Sequence, residues 1–361
     1  MTDEIQPIAS QNFGFNSIGN SVANADKLES IGSSYALSSI LLSAVELNVF
    51  DCLVDGAKTC DRIAAEIQVA PDALKRLTIA LTAMGLLQCD SEGKYQNTSV
   101  ATTFLTEKSP QSMTSSLLFH KRCYDLFGNL TAVIKSGKQQ FAKSAPVDNY
   151  YSELAKQPEE YFIFLEAMNR SSVGIGTALA TSVDFSKIDR VIDLGAGGGQ
   201  ISIELAQAVP HLTLTMVDLP IACDFLQRRI DDLSLEHQLE CIQGSILNDL
   251  SQQLELADAV ILSGILADWG ATEGVQILHH ARNLLKPGGL LLVSETLFDE
   301  TKTGLMQPAI LSLCMLLAMQ GDNFTPSEIA SILDRSGFVD VRFCFKQETG
   351  VRDLIIAQKP L

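Results

Sequence analysis

Apolar positions along the chain keep a helical rhythm through the first half and switch to strand-like runs in the second. From Tyr35, YALSSILLSAVELNVFDCL spaces its apolar residues as a buried helix does. In TCDRIAAEIQVAPDALKRLTIALTAMGLLQCDSEGKYQNT, Thr59 is placed to cap a short helix, VAPD turns the chain, and Pro71 opens a second helix. GLLQCDSEGKYQNT then predicts a β-hairpin that turns at Ser91 to Gly93. Helix, turn, helix and hairpin together make a winged helix. Before it, about the first thirty residues are rich in Ser, Asn and Gly, lack a period, and predict a loose arm.

Residues 112–182 keep a mostly helical period, broken by SGKQQFAKSAPVDN, and carry YFIFLEAMNRSSVGIG. From Phe185 the pattern becomes apolar runs (RVIDLGAG, LTLTMVD, LECIQGS, DAVILSG, GLLLVSET) separated by helical segments. Such alternation predicts an α/β fold with a doubly wound, mostly parallel sheet. FVDVRFCF and VRDLIIAQ, joined by a short turn, add an antiparallel pair and bring the sheet to seven strands. The expected organisation is an arm and winged helix over 1–110, a helical linker contributing to a substrate pocket over 111–184, and a ligand-binding sheet domain over 185–361.

Composition narrows the function. With 46% hydrophobic and 19% charged residues, 361 residues suffice for more than one core. A net charge of -17 argues against nucleic acid and anionic membrane surfaces. A winged helix raises DNA binding again, but residues 51–94 hold seven acids against five bases, and the second helix offers only Lys75 and Arg76. A DNA-binding surface needs a basic stripe, so this module reads as a protein-contact unit. MTDEIQPIAS has no apolar signal core, and AILSLCMLLAM is too short to span a bilayer. A soluble, cytoplasmic protein is the expectation. The eight cysteines form no C-x-x-C pair, which predicts buried free thiols rather than disulfides or a metal site.

Candidate chemistry gathers at the strand ends. VIDLGAGGGQISIELAQAVP runs a strand into glycines 195, 197, 198 and 199, where backbone can approach a ligand closely. The dinucleotide pattern G-x-G-x-x-G fails at Gln200. Asp193, two residues before Gly195, would repel a pyrophosphate but suits a ligand bearing an ammonium group. S-adenosyl-L-methionine has an ammonium group and no phosphate. In TMVDLP, Asp218 ends the second strand where a carboxylate can accept both ribose hydroxyls.

The order winged helix, helical linker, LEAMNRSS, VIDLGAGGGQ, MVDLP, ILADW and LLKPGGLLLVSE resembles the small-molecule O-methyltransferases of the caffeate and hydroxyindole type. The likeness runs over nearly the whole chain after the first thirty residues. It implies a homodimer built through the N-terminal domain, each subunit helping to close its partner's pocket, with S-adenosyl-L-methionine as cofactor. It places Gly195 and Gly197 in the cofactor turn, Asp218 at the ribose, Ser245 and Ile246 beside the adenine, and Ser263 facing the cofactor. Ser171 or Ser172 would bond the methionine carboxylate. The family's usual Gly-Asp at the adenine is Gly244-Ser245 here, and a hydroxyl bonds more weakly than a carboxylate.

A second departure touches the chemistry. In LSGILADWGATEG, the family's base, a histidine before Asp-Trp, is replaced by Ala267. Of the two glutamates that would orient it, one matches Glu295 and the other aligns with Asn323. A phenol of pKa near 10 is only about 0.1% ionised at pH 7. A positioned base contributes roughly 10²- to 10⁴-fold, yet orientation alone supplies several kcal/mol. Transfer by proximity to a small, largely apolar aromatic or polyketide-like metabolite is the expectation, at oxygen first, with nitrogen or carbon as options. A non-methylating enzyme on the same scaffold, such as a pericyclase, decarboxylase or hydroxylase, is the alternative.

Replacement catalytic groups are His120 in LLFHKRCYDLF, Asp268 and Glu295. Tyr124, Met168 and Trp269 are expected to line the substrate pocket. So are Met315 and Met319, on an apolar helix whose adaptable side chains suit a flat ligand. No metal is expected.

Overall fold

The computed structural model describes residues 25–137, 150–345 and 352–361, and the chain divides into two compact units at Asp125. Most of the expected arm, all but two residues of SGKQQFAKSAPVDN and the turn between the last two strands lie outside the described residues. The division cuts the segment expected to act as a linker. Its first helix falls largely in the N-terminal unit, and the rest belongs with the sheet.

In the N-terminal unit the first helix, α1 (Ala25–Glu46), begins ten residues before the expected Tyr35, with Asp26 favourably placed in its first turn. After α2 (Val49–Cys52) come β1 (Lys58–Thr59) and α3 (Cys60–Glu66), where the Thr59 hydroxyl accepts from the Arg62 amide at 3.4 Å as an N-cap. Pro71 opens α4 (Pro71–Ala83). β2 (Leu87–Cys89) and β3 (Lys94–Asn97) form the hairpin, and β1 adds a third strand. α5 (Ser99–Phe104) and α6 (Thr114–Phe127) follow. Leu42, Val45, Phe50, Ile63, Leu74, Leu81 and Leu87 make the core.

α1 is long and apolar enough, by length and composition, to cross a bilayer, with a mean hydropathy of 1.2 over 18 residues. Its Ser and Gly positions break up the apolar run while lowering the average little. The cysteines are indeed free, but only Cys223 is buried, and Cys89 is exposed. Apolar neighbours in sequence do not fix which face of an element a thiol occupies.

In the second unit, α7 (Leu130–Ser136), α8 (Tyr150–Leu154), α9 (Pro158–Ser171) and α10 (Ile175–Ser182) precede the sheet. The sheet strands are β4 (Arg190–Leu194), β5 (Thr213–Asp218), β6 (Leu239–Gln243), β7 (Ala257–Ser263), β8 (Leu285–Glu295), β9 (Val339–Phe345) and β10 (Asp353–Gln358). The helices between them are α11 (Gln200–Ala208), α12 (Pro220–Leu233), α13 (Ala271–Leu284), α14 (Met306–Ala318) and α15 (Pro326–Arg335). Strand order is β6-β5-β4-β7-β8-β10-β9; the first five run parallel, and β10 is antiparallel to both neighbours.

Period-two alternation makes both faces apolar. Val191, Ala259, Ile261 and Ile356 pack on one side with α10, α11 and α12, and Ile192, Leu194, Val260, Leu262 and Ile355 pack on the other with α13 and α15. A sheet covered on both faces leaves its strand ends as the place for polar chemistry. Because β5 and β7 flank β4 on opposite sides, the crossovers diverge at its carboxyl end and open a crevice there.

Candidate functional site

The crevice is built around the bend after β4. Gly195, Gly197 and Gly199 all adopt positive φ, so the bend turns sharply into α11. The Asp218 carboxylate, at the tip of β5, accepts from the Gly197 amide at 2.7 Å and from the Leu219 amide at 2.7 Å. From α12, the Arg229 guanidinium donates to the Gly198 carbonyl. On the other side Asn169 of α9 presses its amide so closely on Gly198 that a Cβ there would overlap it. The Asn169 side-chain nitrogen is buried with no hydrogen-bond partner among the described residues. Buried amide donors are rarely left unpaired, so this one points to an absent acceptor.

Asp193 sits in the same bend but is 2% exposed, and its carboxylate accepts from the Ser202 hydroxyl of α11 at 2.7 Å. Burial pushes its carboxyl up to about 7, with a smaller contribution from the charge of Asp218. Burial likewise raises Asp218 to about 6, against the pull of its two amide donors. Beyond β6, the Ser245 hydroxyl accepts from the Leu247 amide at 3.3 Å, and the Ile246 carbonyl meets Nδ1 of His280 at 3.1 Å. His280 thus ties this loop to α13.

The second part of the site follows β7. Here Ile265 leads into a 3-10 turn, Leu266–Asp268, and Ala267 is 5% exposed at its centre. Glu295, ending β8 and 2% exposed, accepts from the amides of Ile265 at 3.0 Å and Leu266 at 2.8 Å. Burial raises its carboxyl above the usual range, opposed by Arg352 and these amides. Glu295 therefore holds the backbone of this turn in place. Asn323 donates to the Thr296 carbonyl at 2.8 Å, and just before it Gly321 packs so tightly that a Cβ would overlap the Ala267 carbonyl.

Asp268 accepts a hydrogen bond from the Tyr151 hydroxyl of α8. Burial raises its carboxyl to about 7, against that hydroxyl's pull, with Glu295 adding like charge and Arg352 opposing. The Trp269 ring lies 6.2 Å from the Tyr151 ring, and its indole nitrogen is buried without a partner among the described residues. Arg352, just before β10, donates to Ser263 at 3.1 Å and to Ser171 at 3.2 Å. Ser171 donates in turn to the Met168 carbonyl at 2.9 Å, and Ser172, 8% exposed, is the C-cap of α9. Met315 and Met319 lie on and just after α14, both half-buried.

Among the expected residues, Asp193, Gly195, Gly197, Asp218, Ser263, Asp268 and Glu295 thus meet at the carboxyl ends of β4, β5, β7 and β8. His120 and Tyr124 belong to α6 in the N-terminal unit, where burial lowers the His120 pKa and Tyr124 is exposed. Sequence reasoning missed Asn169, Tyr151 and Arg352. Asn169 stood inside the quoted LEAMNRSS; Tyr151 and Arg352 had no local signal.

Comparison with known proteins settles the family. Residues 127–339 match the O-methyltransferase domain and residues 30–107 the O-methyltransferase dimerisation domain. The chain belongs to the O-methyltransferase family. It is 31% identical over 303 residues to the 3-hydroxy-5-methyl-1-naphthoate 3-O-methyltransferase of Streptomyces sahachiroi, covering 84% of this chain and 86% of that one. It is 28% identical over 343 residues to the N,N-dimethyltransferase OxyT of Streptomyces rimosus, covering 94% and 98%. The structure of human N-acetylserotonin methyltransferase with S-adenosylmethionine superposes with a TM-score of 0.82 at 27% identity, covering 94% of this chain and 99% of that one.

This O-methyltransferase depends on S-adenosylmethionine, and the residues present fit that group. A carboxylate beside a glycine bend suits ribose hydroxyls, and the orphaned Asn169 amide offers a donor to an anionic end.

The raised carboxyls carry a pH prediction. Unfolded, Asp193, Asp218 and Asp268 would ionise near pH 4. Folded, they keep their protons up to about 7, 6 and 7. The stability contributed by their neutral forms is lost as pH rises through 6 to 7, while carboxyls with lowered pKa, such as Glu66 at about 2, have finished titrating by pH 5. His120, whose pKa is lowered, works the other way, as one group against four raised carboxyls, Glu295 included. The ligand-free protein is expected to be less stable at pH 8 than at pH 5 by at least about 3 kcal/mol in urea unfolding. Equal stability at the two pH values would reject the buried-proton account.

Proposed function

We propose that this enzyme methylates a hydroxyl of a small, largely apolar aromatic or polyketide-like metabolite, with orientation rather than a histidine base supplying the rate. The observation that carries this reading is Ala267, a buried methyl group in the turn where the base would stand, with Glu295 committed to backbone amides. When bound, S-adenosylmethionine supplies an electrophilic methyl group that leaves its sulfur as a substrate oxygen attacks. Asp218 and the Gly195–Gly199 bend are assigned to the ribose, Ser245 and Ile246 to the adenine, Asp193 to the ammonium, and Ser172 and Ser263 to the methionine end. Met168, Trp269, Met315 and Met319 are assigned to the substrate, and the unpaired indole nitrogen of Trp269 offers it a hydrogen bond. The naphthoate relative supports an aromatic acceptor, and the N,N-dimethyltransferase relative keeps nitrogen as an option.

Asp268 supports a second reading of the proton's fate. With its carboxyl raised to about 7, it is half ionised at neutral pH and able to accept the proton that the substrate hydroxyl releases. Asp268→Asn should then abolish the rise in rate through pH 7 on a weakly acidic phenol.

The assembly proposed is a homodimer formed through the N-terminal unit. The matched dimerisation domain supports it, as do Leu28, Ile31, Tyr35 and Leu37 exposed along α1. The deciding experiment for the activity is transfer of labelled methyl from S-adenosylmethionine to an aromatic acceptor; substrate consumed without label in the product would reject it. Ala267→His is expected to raise kcat at least about 10-fold on a phenol of pKa near 10. No gain on such a phenol would place the reacting oxygen away from this turn.

A further inference from the structure

Arg352 is half-buried in the catalytic unit, where its guanidinium donates to two neutral hydroxyls, Ser263 and Ser171. Among the described residues no carboxylate oxygen lies within ion-pair distance of it, although Glu295 and Asp268 act on it from further off. A cation partly withdrawn from water without a close counter-ion loses solvation that nothing nearby replaces, and such a site is stabilised when an anion arrives. Its two serines fix where that anion would sit. Ser263 ends β7, the neighbour of β4 on the side away from β5 and β6, and Ser171 ends α9, two residues after the Asn169 that abuts Gly198.

Asp218 marks the ribose side of the bend, on β5, so the cofactor's amino-acid end runs the other way, toward β7. That end carries the only anionic group of S-adenosylmethionine. The backbone has left room for the guanidinium as well: Gly264 has a φ of 61°, and a Cβ on it would stand 2.6 Å from Nη1 of Arg352. A planar guanidinium and a carboxylate match in shape, through two parallel hydrogen bonds.

We infer that Arg352, reaching back from the last strand, binds the α-carboxylate of the cofactor's methionine end, with the unpaired amide of Asn169 as the second donor. The inference rests on the cofactor assignment and adds to it a residue from the C-terminal strand pair.

Calorimetry with S-adenosylmethionine and its decarboxylated analogue tests it without relying on turnover. The wild-type protein should bind the decarboxylated compound about 100-fold more weakly, a comparison that needs no variant. Arg352→Met should lose about 100-fold for S-adenosylmethionine while binding the decarboxylated analogue as well as wild type does, and Arg352→Lys should recover part of the loss. Equal weakening of both ligands by Arg352→Met, or an unchanged affinity for S-adenosylmethionine, would overturn the assignment. Equal wild-type affinities for the two ligands would overturn it too, while leaving the cofactor reading intact. Failure of the wild-type protein to bind either ligand would instead remove the cofactor reading, and this inference with it.

Discussion

Glu295→Ala is expected to destabilise the catalytic unit by about 4 kcal/mol, the scale set by removing one member of a buried charged network. Three effects add. The Ile265 and Leu266 amides, which bond Glu295 at 3.0 and 2.8 Å, lose their acceptor inside the protein. Each buried donor left unsatisfied costs about 1–3 kcal/mol. The substitution also removes a carboxylate whose field acts on Arg352, and it opens a void behind the turn that carries Ala267. Glu295→Gln keeps an acceptor of the same shape and should lose less than half as much. Urea unfolding of the two variants beside wild type measures the difference. Wild-type stability in Glu295→Ala would mean that the 3-10 turn is held by packing alone.

Asp218→Ala is expected to weaken cofactor binding by two to three orders of magnitude. A hydrogen bond to a charged group contributes about 1.5–3 kcal/mol, and two ribose hydroxyls would be lost together. The same carboxylate also receives the Gly197 and Leu219 amides, so its removal loosens the glycine bend itself. Calorimetry with S-adenosylhomocysteine at pH 8 reads this directly. Because burial raises Asp218 to about 6, the wild-type affinity should fall as pH drops through 6, when the carboxylate gains a proton and loses acceptor strength. Affinity independent of pH between 5 and 8, together with a mild effect of Asp218→Ala, would remove Asp218 from the ribose.

Much of this enzyme was legible along the chain because strands and helices leave local periods. The alternation in RVIDLGAG and DAVILSG survives as two apolar sheet faces, and Thr59 and Pro71 mark helix starts where they were expected. The glycine bend was legible too, since positive φ restricts the choice of residue. The start of α1 was misplaced because its early apolar residues, Leu28 and Ile31, are spread among polar ones and stay exposed.

Glu295 shows where such reading stops. Sequence placed it at the end of GLLLVSET but gave no sign that one of its oxygens would take backbone amides about thirty residues earlier. Tyr151 and Asp268 are 117 residues apart, and Arg352 and Ser263 are 89. No period links them.

The sequence by itself determined the alternation of elements, the glycine bend after β4 and the alanine that precedes Asp268 and Trp269, since each depends on residues within a few positions of one another. The tertiary structure alone decided which carboxylates are locked to backbone, which keep their protons, and which cation stands at the crevice. Those outcomes depend on strand order and burial, which bring distant side chains to one edge of the sheet and set the dielectric that they share.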